Sequence, residues 1–471
     1  MFCHLQPKIL RLADRRQIPS VDRVLTELGT AAQILPRPLT LFLIRNYLDG
    51  LRQSDSPVPE FDRLLSNLKA KLSDLERSRL RPVINGTGVV LHTNLGRAPL
   101  GQTVVTAIQQ VAQFYNNLEY DLADGKRGNR GEYVELCLAV LTEAQAATVV
   151  NNCAAALLLL LTHYTRSERK EVVISRGELI QIGGGFRIPD ILGATGARLV
   201  EVGTTNQTLL KDYAQAINER TALILKVHQS NFYQDGFIAR PAARDLTQLA
   251  KQHQIPFIED LGSGAVFPPE HWPLNETERS PVDALREGVD LVCFSGDKLF
   301  GGAQAGIIAG QRNAVKSLKT DPFFRALRCD KLILSALQAT TEAYLAEEYA
   351  SFPIWDMLTC TVSGLQRRGE HILAELANLP IMAELVATQA RVGGGTMPRT
   401  SVPSIALSVQ LPGRSVELLA SYLRRETPSV VGYINKEQFH LDLRTVFPAQ
   451  DVEIAQLLRK AVQALISEER K

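Results

Sequence analysis

The sequence lacks the features of several common protein classes. Its 6 cysteines form no CxxC pair, which argues against a structural zinc site or a disulfide framework and suits a reducing compartment. The longest apolar run, residues 153–161, is too short to span a bilayer, and the N-terminal MFCHLQPKIL lacks the apolar stretch of a signal peptide. We therefore expect a cytoplasmic protein with no metal site and no membrane segment.

A strong net charge is also missing. The chain has 52 Lys and Arg against 50 Asp and Glu and is 45% hydrophobic, so it is neither disordered nor, taken whole, a basic nucleic-acid-binding protein. The charge is uneven, however. Residues 1–81 carry 14 basic and 9 acidic side chains, whereas the remainder carries 38 and 41. The first segment could meet a polyanion, although a solvated helical domain explains the excess equally well.

Hydrophobic spacing divides the chain into three predicted domains. Residues 1–80 form a helical domain, residues 81–340 a large α/β domain, and residues 341–471 a small α/β domain. The elements expected in the first and last domains are helices near 20–29, 40–51, 59–80 and 451–467 and β-like runs at 404–411, 430–434 and 438–442.

The large domain alternates short apolar runs with helical stretches. This alternation predicts a mostly parallel sheet that is covered on both faces. The last two runs are separated by a Gly-rich segment too short for a crossover helix, so one of them should run antiparallel. The seven predicted strands are 147–151, 171–175, 198–202, 222–227, 256–260, 291–295 and 305–309.

The motif FSGDKLFGG, residues 294–302, is the most specific local signal. A strand ends in a small polar turn that carries Lys298, as expected for a lysine that forms a Schiff base with pyridoxal phosphate. Ser295 is suitably placed to hold the cofactor phosphate. A solvated lysine in a hairpin turn is the alternative, because Ser-x-x-Lys is a short pattern that also occurs in serine hydrolases.

Two further strand ends support the cofactor interpretation. In FIEDLGSG, residues 257–264, Asp260 could hold the pyridine nitrogen protonated, while Glu259 should point to the opposite face of the strand. In VVNNCAAAL, residues 149–157, a strand turns into a helix whose free N–H groups at Asn152, Cys153 and Ala154 could bind a phosphate. Cys153 could instead be a reactive thiol, because a helix N-terminus lowers a thiol pKa. The order of phosphate turn, carboxylate and lysine is that of the aspartate-aminotransferase-like, fold type I enzymes.

Longer stretches carry a closer resemblance. They are RPVINGTGVVLHTNLGRAPL (81–100), SRGELIQIGGGFRIPDI (175–191), EVGTTNQT (201–208), LKVHQSNF (225–232), DLGSGA (260–265), FSGDKLFGGAQAGII (294–308) and RALRCDK (325–331). In these stretches the chain resembles the bacterial L-seryl-tRNA(Sec) selenium transferases, or selenocysteine synthases.

The resemblance implies a fold type I enzyme that converts L-seryl-tRNA(Sec) to L-selenocysteinyl-tRNA(Sec) through an aminoacrylyl intermediate. It implies pyridoxal 5′-phosphate as cofactor and selenophosphate as selenium donor. The helical segment would be the tRNA-binding domain, and the protein would be a homo-oligomer, a dimer at least and a decamer in the family.

Residue roles follow from the same resemblance. Lys298 matches the cofactor lysine, and Asp297 matches its neighbour, which could tune the lysine or orient the leaving hydroxyl. Arg97, Arg325 and Arg328 match positions linked to the anionic selenium donor, and the last two should share one helical face.

Some residues keep more than one interpretation. His228 follows a strand and could face the cofactor or the substrate, or could be an ordinary hydrogen-bonding residue. Arg176 and Glu178 follow another strand end and could also line the site. Cys153, together with Gly86 and Ala303, departs from the usual family residue, without loss of a catalytic side chain.

Two other functions remain open. A PLP-dependent lyase or aldolase could use the same residues on a free small molecule, although such relatives tend to lack the N-terminal domain. A non-enzymatic RNA-binding protein on the same scaffold would not need Lys298, Asp260 and the arginines.

Overall fold

The computed structural model describes residues 17–54, 56–182, 185–267, 274 and 276–467. The chain forms two compact units. The first ends at Val83 and includes Arg425–Ser429, and the second comprises Ile84–Arg424 and the residues from Val430 onward. The finer division into domains 1–80, 81–340 and 341–471 stays a prediction.

Helices build the first unit, as the sequence predicts. Ser20 caps the first helix, where its Oγ accepts the N–H of Arg23 (3.3 Å). Leu64, Leu68 and Leu72 are fully buried on one face of the third helix, because residues four apart lie above one another on a helix. The α-helices are Val21–Leu28, Arg37–Gln53 and Phe61–Arg77, and a 3-10 helix, Gly29–Gln33, follows the first.

A seven-stranded sheet forms the centre of the second unit. Its strands lie in the order β1-β7-β6-β5-β4-β2-β3. In chain order they are β1 (Ala146–Val150), β2 (Glu171–Ser175), β3 (Arg198–Val202), β4 (Thr221–Val227), β5 (Phe257–Gly262), β6 (Leu291–Ser295) and β7 (Gly306–Gly310). All seven predicted strands are therefore present, three with the predicted ends and four with ends that differ by one or two residues.

Strand direction follows the length of the connections. The pairs among β2 to β6 are parallel, whereas β7 runs antiparallel to both β6 and β1. The connection from β6 to β7 is too short for a crossover helix, so the chain can only turn back beside β6. The predicted reversal is thus confirmed, and so is the α/β fold class with a mostly parallel sheet.

Alternate side chains of the sheet enter two different apolar cores. Val292 and Ile307 belong to one core, and Leu291 and Ile308 belong to the other. Since successive strand residues point to opposite faces, both faces of the sheet are covered. The helices of the second unit are Gln102–Gln113, Glu132–Leu141, Cys153–Tyr164, Ile188–Ala194, Leu210–Ala216, Ala243–Gln252, Pro281–Arg286, Arg312–Thr320, Pro322–Leu327, Lys331–Leu345, Pro353–Thr359, Val362–Leu376, Val416–Arg425 and Asp451–Ser467.

A second sheet of five strands lies toward the end of the chain. Its neighbours are antiparallel, except that Val89–Leu91 pairs in parallel with Met382–Gly393. The strands, in sheet order, are Tyr433–Asn435, Gln438–Asp442, Thr396–Gln410, Met382–Gly393 and Val89–Leu91. The expected runs 404–411 and 438–442 are confirmed, whereas 430–434 is divided between Ser429–Val431, which lies outside this sheet, and Tyr433–Asn435. The sequence analysis did not predict the long strand Met382–Gly393.

Among the residues that the structure describes, no helix is long and apolar enough to cross a bilayer.

Candidate active site

Three neighbouring parallel strands, β4, β5 and β6, end at the same edge of the sheet. His228 follows β4, Asp260 lies near the end of β5, and Ser295 and Lys298 lie at and after the end of β6. The structure therefore brings together residues that the sequence offers as separate motifs. In open α/β sheets, ligands bind at this edge.

Lys298 lies in a loop that backbone hydrogen bonds hold on both sides. The N–H of Leu299 donates to the carbonyl of Ser263 (3.0 Å), and the N–H of Gly301 donates to that of Lys298 (2.9 Å). Lys298 is 4% exposed, and this burial lowers the pKa of its amine. Gly262 lies next to the amine, since a Cβ at this residue would be in ordinary contact with Nζ at 3.8 Å, and its φ of +64° favours glycine. The neutral amine that a carbonyl reaction needs is thus favoured.

Asp260 is buried beside this amine. Burial raises the pKa of its carboxyl group. Its Oδ1 accepts the N–H of Gly262 (3.0 Å) and the thiol of Cys153 (3.3 Å). Glu259 points elsewhere, as expected, and forms ion pairs with Lys226 (2.9 Å) and Arg279 (2.8 Å). Asp260 is therefore the carboxyl group that faces the site.

The helix Cys153–Tyr164 begins next to Asp260. Asn152 is its N-cap and accepts the N–H of Ala155 (2.8 Å) through Oδ1. The first N–H groups of a helix, here those of Cys153 and Ala154, have no acceptor within the helix, and they carry partial positive charge. Gly306 allows β7 to approach this turn closely, since a Cβ there would lie 2.2 Å from the carbonyl oxygen of Asn152.

Cys153 is part of a small buried cluster. Its Sγ, the Sγ of Cys293 and a carboxylate oxygen of Asp260 lie within 4.8 Å of one another. The hydrogen bond with Cys293 lowers the pKa of Cys153, but burial together with the charge and hydrogen bond of Asp260 outweighs it, so the net pKa is raised. Contact with Cys153 and burial raise the pKa of Cys293. A protonated Cys153 suits a hydrogen-bond donor and weighs against the reactive-thiol alternative.

Arg97 and Asp297 form an ion pair next to Lys298. Nη1 of Arg97 donates to both carboxylate oxygens of Asp297 (3.1 and 2.9 Å). The N–H of Ala98 also donates to the carbonyl of Asp297 (3.2 Å), so the two segments are tied at both backbone and side chain. The charge of Arg97 lowers the pKa of Lys298 and that of Asp297 raises it, both less than burial does.

His228 contacts both β5, through Asp260, and the acidic side chain of Glu278. Its N–H donates to the carbonyl of Asp260 (2.8 Å), and its Nδ1 accepts the N–H of Ser230 (3.1 Å). The remaining ring nitrogen, Nε2, lies 3.1 Å from Oε1 of Glu278. The backbone of His228 is therefore fixed against the site, and its ring faces a cavity of about 330 Å³ that Glu178 also lines.

The two candidates that follow β2 differ in position. Arg176 is exposed and pairs with Glu201 (2.9 Å). Glu178 is buried and accepts the N–H of Val227 (3.0 Å). Burial raises the pKa of Glu178 to about 7. Only Glu178 of this pair lines the cavity beside His228.

Sequence reasoning missed two residues at this edge. The Oγ of Ser263 is buried and has no hydrogen-bond partner among the residues described here, so it is available to a bound group. Its place in DLGSGA, directly after Asp260, was a usable signal. Glu278 follows no strand, and nothing in its neighbouring sequence pointed to His228.

Arg325 and Arg328 lie in and after the short helix Pro322–Leu327, and the backbone of Arg328 pairs with that of Val150 at the end of β1. They line a cavity of about 500 Å³ with Arg130 and Lys319, and Lys298 is not part of that lining. The helix Pro322–Leu327 ends before Arg328, whose backbone is extended (ψ 145°), so the two arginines do not share the helical face that their spacing predicted. Arg328 pairs with Glu119 (3.2 Å).

Taken together, the sheet edge fits pyridoxal phosphate. The buried amine of Lys298 suits its aldehyde, and the buried carboxyl of Asp260 suits its ring nitrogen. The free N–H groups at Cys153 and Ala154 suit a phosphate at a helix N-terminus. The unpartnered Oγ of Ser263 adds one polar group within the same edge.

Comparison with known families gives consistent matches. The family described as L-seryl-tRNA selenium transferase matches residues 83–447, and one described as selenocysteine synthase N terminal matches residues 15–52. The chain is 41% identical to the L-seryl-tRNA(Sec) selenium transferase of Aquifex aeolicus over 96% of this chain and 99% of that protein. It is 42% identical to the enzyme of the same name from Carboxydothermus hydrogenoformans, over 94% and 97%.

Solved structures show the same fold. D-glucosaminate-6-phosphate ammonia-lyase is similar with a TM-score of 0.57 and 22% sequence identity, over 82% of this chain and 96% of that one. At this identity the likeness extends to the fold alone.

Proposed function

This chain belongs to the L-seryl-tRNA selenium transferase family, and from that membership we propose a role in the reaction for each residue of the candidate site. It is a fold type I, pyridoxal-phosphate-dependent transferase that converts L-seryl-tRNA(Sec) to L-selenocysteinyl-tRNA(Sec). The bound cofactor supplies an electron sink for the pair left on the seryl α-carbon. The named relatives do not support the alternative of a lyase acting on a free small molecule.

The observation that carries the proposal is the buried amine of Lys298 beside Asp260. We assign Lys298 to hold the cofactor and, once released from it, to move the proton at the seryl α-carbon. Burial lowers the pKa of Lys298. Near neutral pH a larger fraction of this amine is therefore uncharged, and able to accept a proton, than of an exposed lysine. Asp260 would hold the ring nitrogen, with the thiol of Cys153 and the N–H of Gly262 keeping its Oδ1 in place.

We assign the cofactor phosphate to the helix N-terminus. The N–H groups of Asn152, Cys153 and Ala154 and the hydroxyl of Ser295 are the proposed donors, supported by the free N–H groups at this helix start. His228 would pack against the cofactor ring, because its backbone is hydrogen-bonded to that of Asp260.

Asp297 and Arg97 have linked roles. The carboxylate of Asp297 is buried and paired, so we assign it to orient the leaving hydroxyl while the ion pair with Arg97 holds it in place. Such a pair holds its geometry more firmly than an isolated carboxylate would.

Selenophosphate is the proposed selenium donor, and arginines are its proposed binding groups. Arg97 lies at the lysine loop, and Arg325 and Arg328 line a cavity with two further cations. Guanidinium groups bind such an anion bidentately, which supports the assignment.

We further propose a homo-oligomer, a dimer at least and a decamer by family resemblance, in the cytoplasm. Exposed apolar side chains support a subunit contact: Phe114, Tyr115, Leu122 and Leu136 lie in or near the lining of a cavity of about 790 Å³. The net positive charge of residues 1–81 supports a role of the first unit in binding tRNA.

The test is transfer of labelled selenium from selenophosphate to seryl-tRNA(Sec). Ordinary seryl-tRNA and free serine are the control acceptors, and Lys298→Ala is the control enzyme. We expect label on the selenocysteine tRNA alone and none with the variant. Label on free serine, or full transfer by Lys298→Ala of normal oligomeric mass, would overturn the assignment.

A further inference from the structure

The ring of His228 is engaged at both of its nitrogens. The backbone N–H of Ser230 donates to Nδ1 (3.1 Å), and Nε2 lies 3.1 Å from Oε1 of Glu278. A backbone N–H can only donate a hydrogen bond, so Nδ1 must present a lone pair and the proton of the neutral ring must lie on Nε2. The ring therefore directs its own N–H toward the carboxylate of Glu278.

The turn that makes the first of these contacts is fixed by its surroundings. Ser230 is buried and has a φ of +59°, a conformation that is strained for a residue with a side chain. Its Oγ donates to the carbonyl of Gly395 (2.7 Å), and a Cβ at Gly395 would lie 2.5 Å from that Oγ. Close packing thus sets where the Ser230 N–H meets the ring of His228.

Glu278 in turn needs a hydrogen-bond donor. Its side chain is 7% exposed, and among the described residues only His228 offers a donor to the buried Oε1. A buried carboxylate oxygen without a donor costs free energy, which favours the contact with Nε2. Two further buried acids line the same cavity but are engaged elsewhere. Glu178 accepts the N–H of Val227, and Glu259 forms ion pairs on β5.

The residue after Glu278 attaches this segment to the sheet. Arg279 donates to both carboxylate oxygens of Glu259 in β5 (2.8 and 3.0 Å) and to Glu287 (2.8 Å). β5 is also the strand whose Asp260 carbonyl accepts the backbone N–H of His228 (2.8 Å). The acid and the ring are therefore both attached to one strand, which fixes their separation.

These contacts determine how His228 can meet a ligand. With both nitrogens engaged, the ring offers only its faces and its C–H edges. A ring that is already held in one orientation loses little conformational entropy when a ligand packs against it. Loss of the Glu278 carboxylate would release Nε2 and allow the ring to rotate.

We propose that Glu278 is a positioning residue that holds the ring of His228 with its proton on Nε2, so that His228 meets the cofactor as a fixed aromatic face. This inference rests on the proposed function, because it assumes that pyridoxal phosphate binds beside Asp260.

The test measures the affinity of the full-length protein, freed of cofactor, for pyridoxal phosphate by absorbance titration. Glu278→Ala should raise the Kd about 2- to 12-fold, the range for loss of one hydrogen bond. Glu278→Gln keeps an oxygen that can accept the N–H of Nε2 and should restore most of the affinity. Glu171→Ala removes a buried acid at the start of β2, the opposite edge of the sheet, and is the control that should bind normally.

A double-mutant cycle distinguishes positioning from a general effect on folding. If Glu278 acts through the ring of His228, Glu278→Ala should cause no further loss of affinity when His228→Ala is already present. The absorbance band of the bound cofactor should also shift in the same direction in the two single variants, because each removes the oriented ring.

Three results would overturn the proposal. They are normal affinity of Glu278→Ala, an equal loss from Glu278→Ala with and without His228→Ala, and a loss in Glu278→Gln as large as that in Glu278→Ala. All three leave the proposed function intact. Failure of the unmodified protein to bind pyridoxal phosphate would instead overturn the proposed function, and this inference with it.

Discussion

Glu178 should make the stability of the protein depend on pH. Its side chain is 6% exposed, and its Oε2 accepts the N–H of Val227, the last residue of β4 (3.0 Å). Burial raises the pKa of this carboxyl from 4.5 to about 7, although the hydrogen bond from Val227 and the charge of Lys226 act against the rise.

The direction of the effect follows from proton binding. The folded chain binds this proton more tightly than the unfolded chain does, so the proton stabilises the fold fully below pH 4.5, and that stabilisation is lost as the pH rises through about 7. The difference between the two pKa values corresponds to about 3 kcal/mol of unfolding free energy.

Glu178→Gln removes the titrating group and keeps an oxygen that can accept the N–H of Val227. Relative to the unmodified protein, the variant should gain up to about 3 kcal/mol as the pH rises from about 5 to about 8. Urea unfolding at several pH values measures this difference, with the exposed Glu219→Gln as the control for loss of a carboxylate. A difference between Glu178→Gln and the unmodified protein that is the same at every pH would refute the reasoning.

Two further predictions concern the cofactor site. Arg97→Gln should raise the pKa of Lys298 and Asp297→Asn should lower it, because the charge of Arg97 lowers this pKa and that of Asp297 raises it. The pH dependence of cofactor capture, followed by absorbance, measures both shifts. Shifts of the same sign would contradict the expectation. Cys153→Ala should weaken cofactor binding about 2- to 12-fold, because Asp260 loses a hydrogen-bond donor. Cys153→Ser keeps a donor and should retain most of the affinity. Equal affinities of the two variants and the unmodified protein in an absorbance titration would be the contrary result.

Much of the fold could be predicted because burial leaves a clear pattern. The strands of the central sheet are covered on both faces, and such strands are continuous apolar runs that end in turn residues. The direction of β7 followed from the length of one connection. The strand Met382–Gly393 was missed because only part of it is buried, and its Ala, Glu and Leu residues are equally compatible with a helix.

The site was predicted unevenly for a related reason. Lys298, Asp260 and Asn152 each follow or end a buried strand, and parallel strands bring their ends to one edge. A motif at a strand end can therefore be placed in space before the fold is known. Arg328 shows the limit of local spacing, because its helix ends at Leu327 and the expected shared face does not form.

The loop after β4, residues 228–240, marks where sequence reasoning stops for a different physical reason. Phe237 and Tyr233 are separated by residues without helical or strand periodicity, so their spacing in the chain says nothing about their exposure. The carbonyl of Phe237 accepts a hydrogen bond from Asn206, and the side chain of Gln234 donates one to the carbonyl of Thr205, about thirty positions away in the chain; such pairings are set by the whole fold. The candidate site residues thus lie at strand ends that the sequence identifies, whereas the conformation of this loop depends on contacts between segments that only the structure reveals.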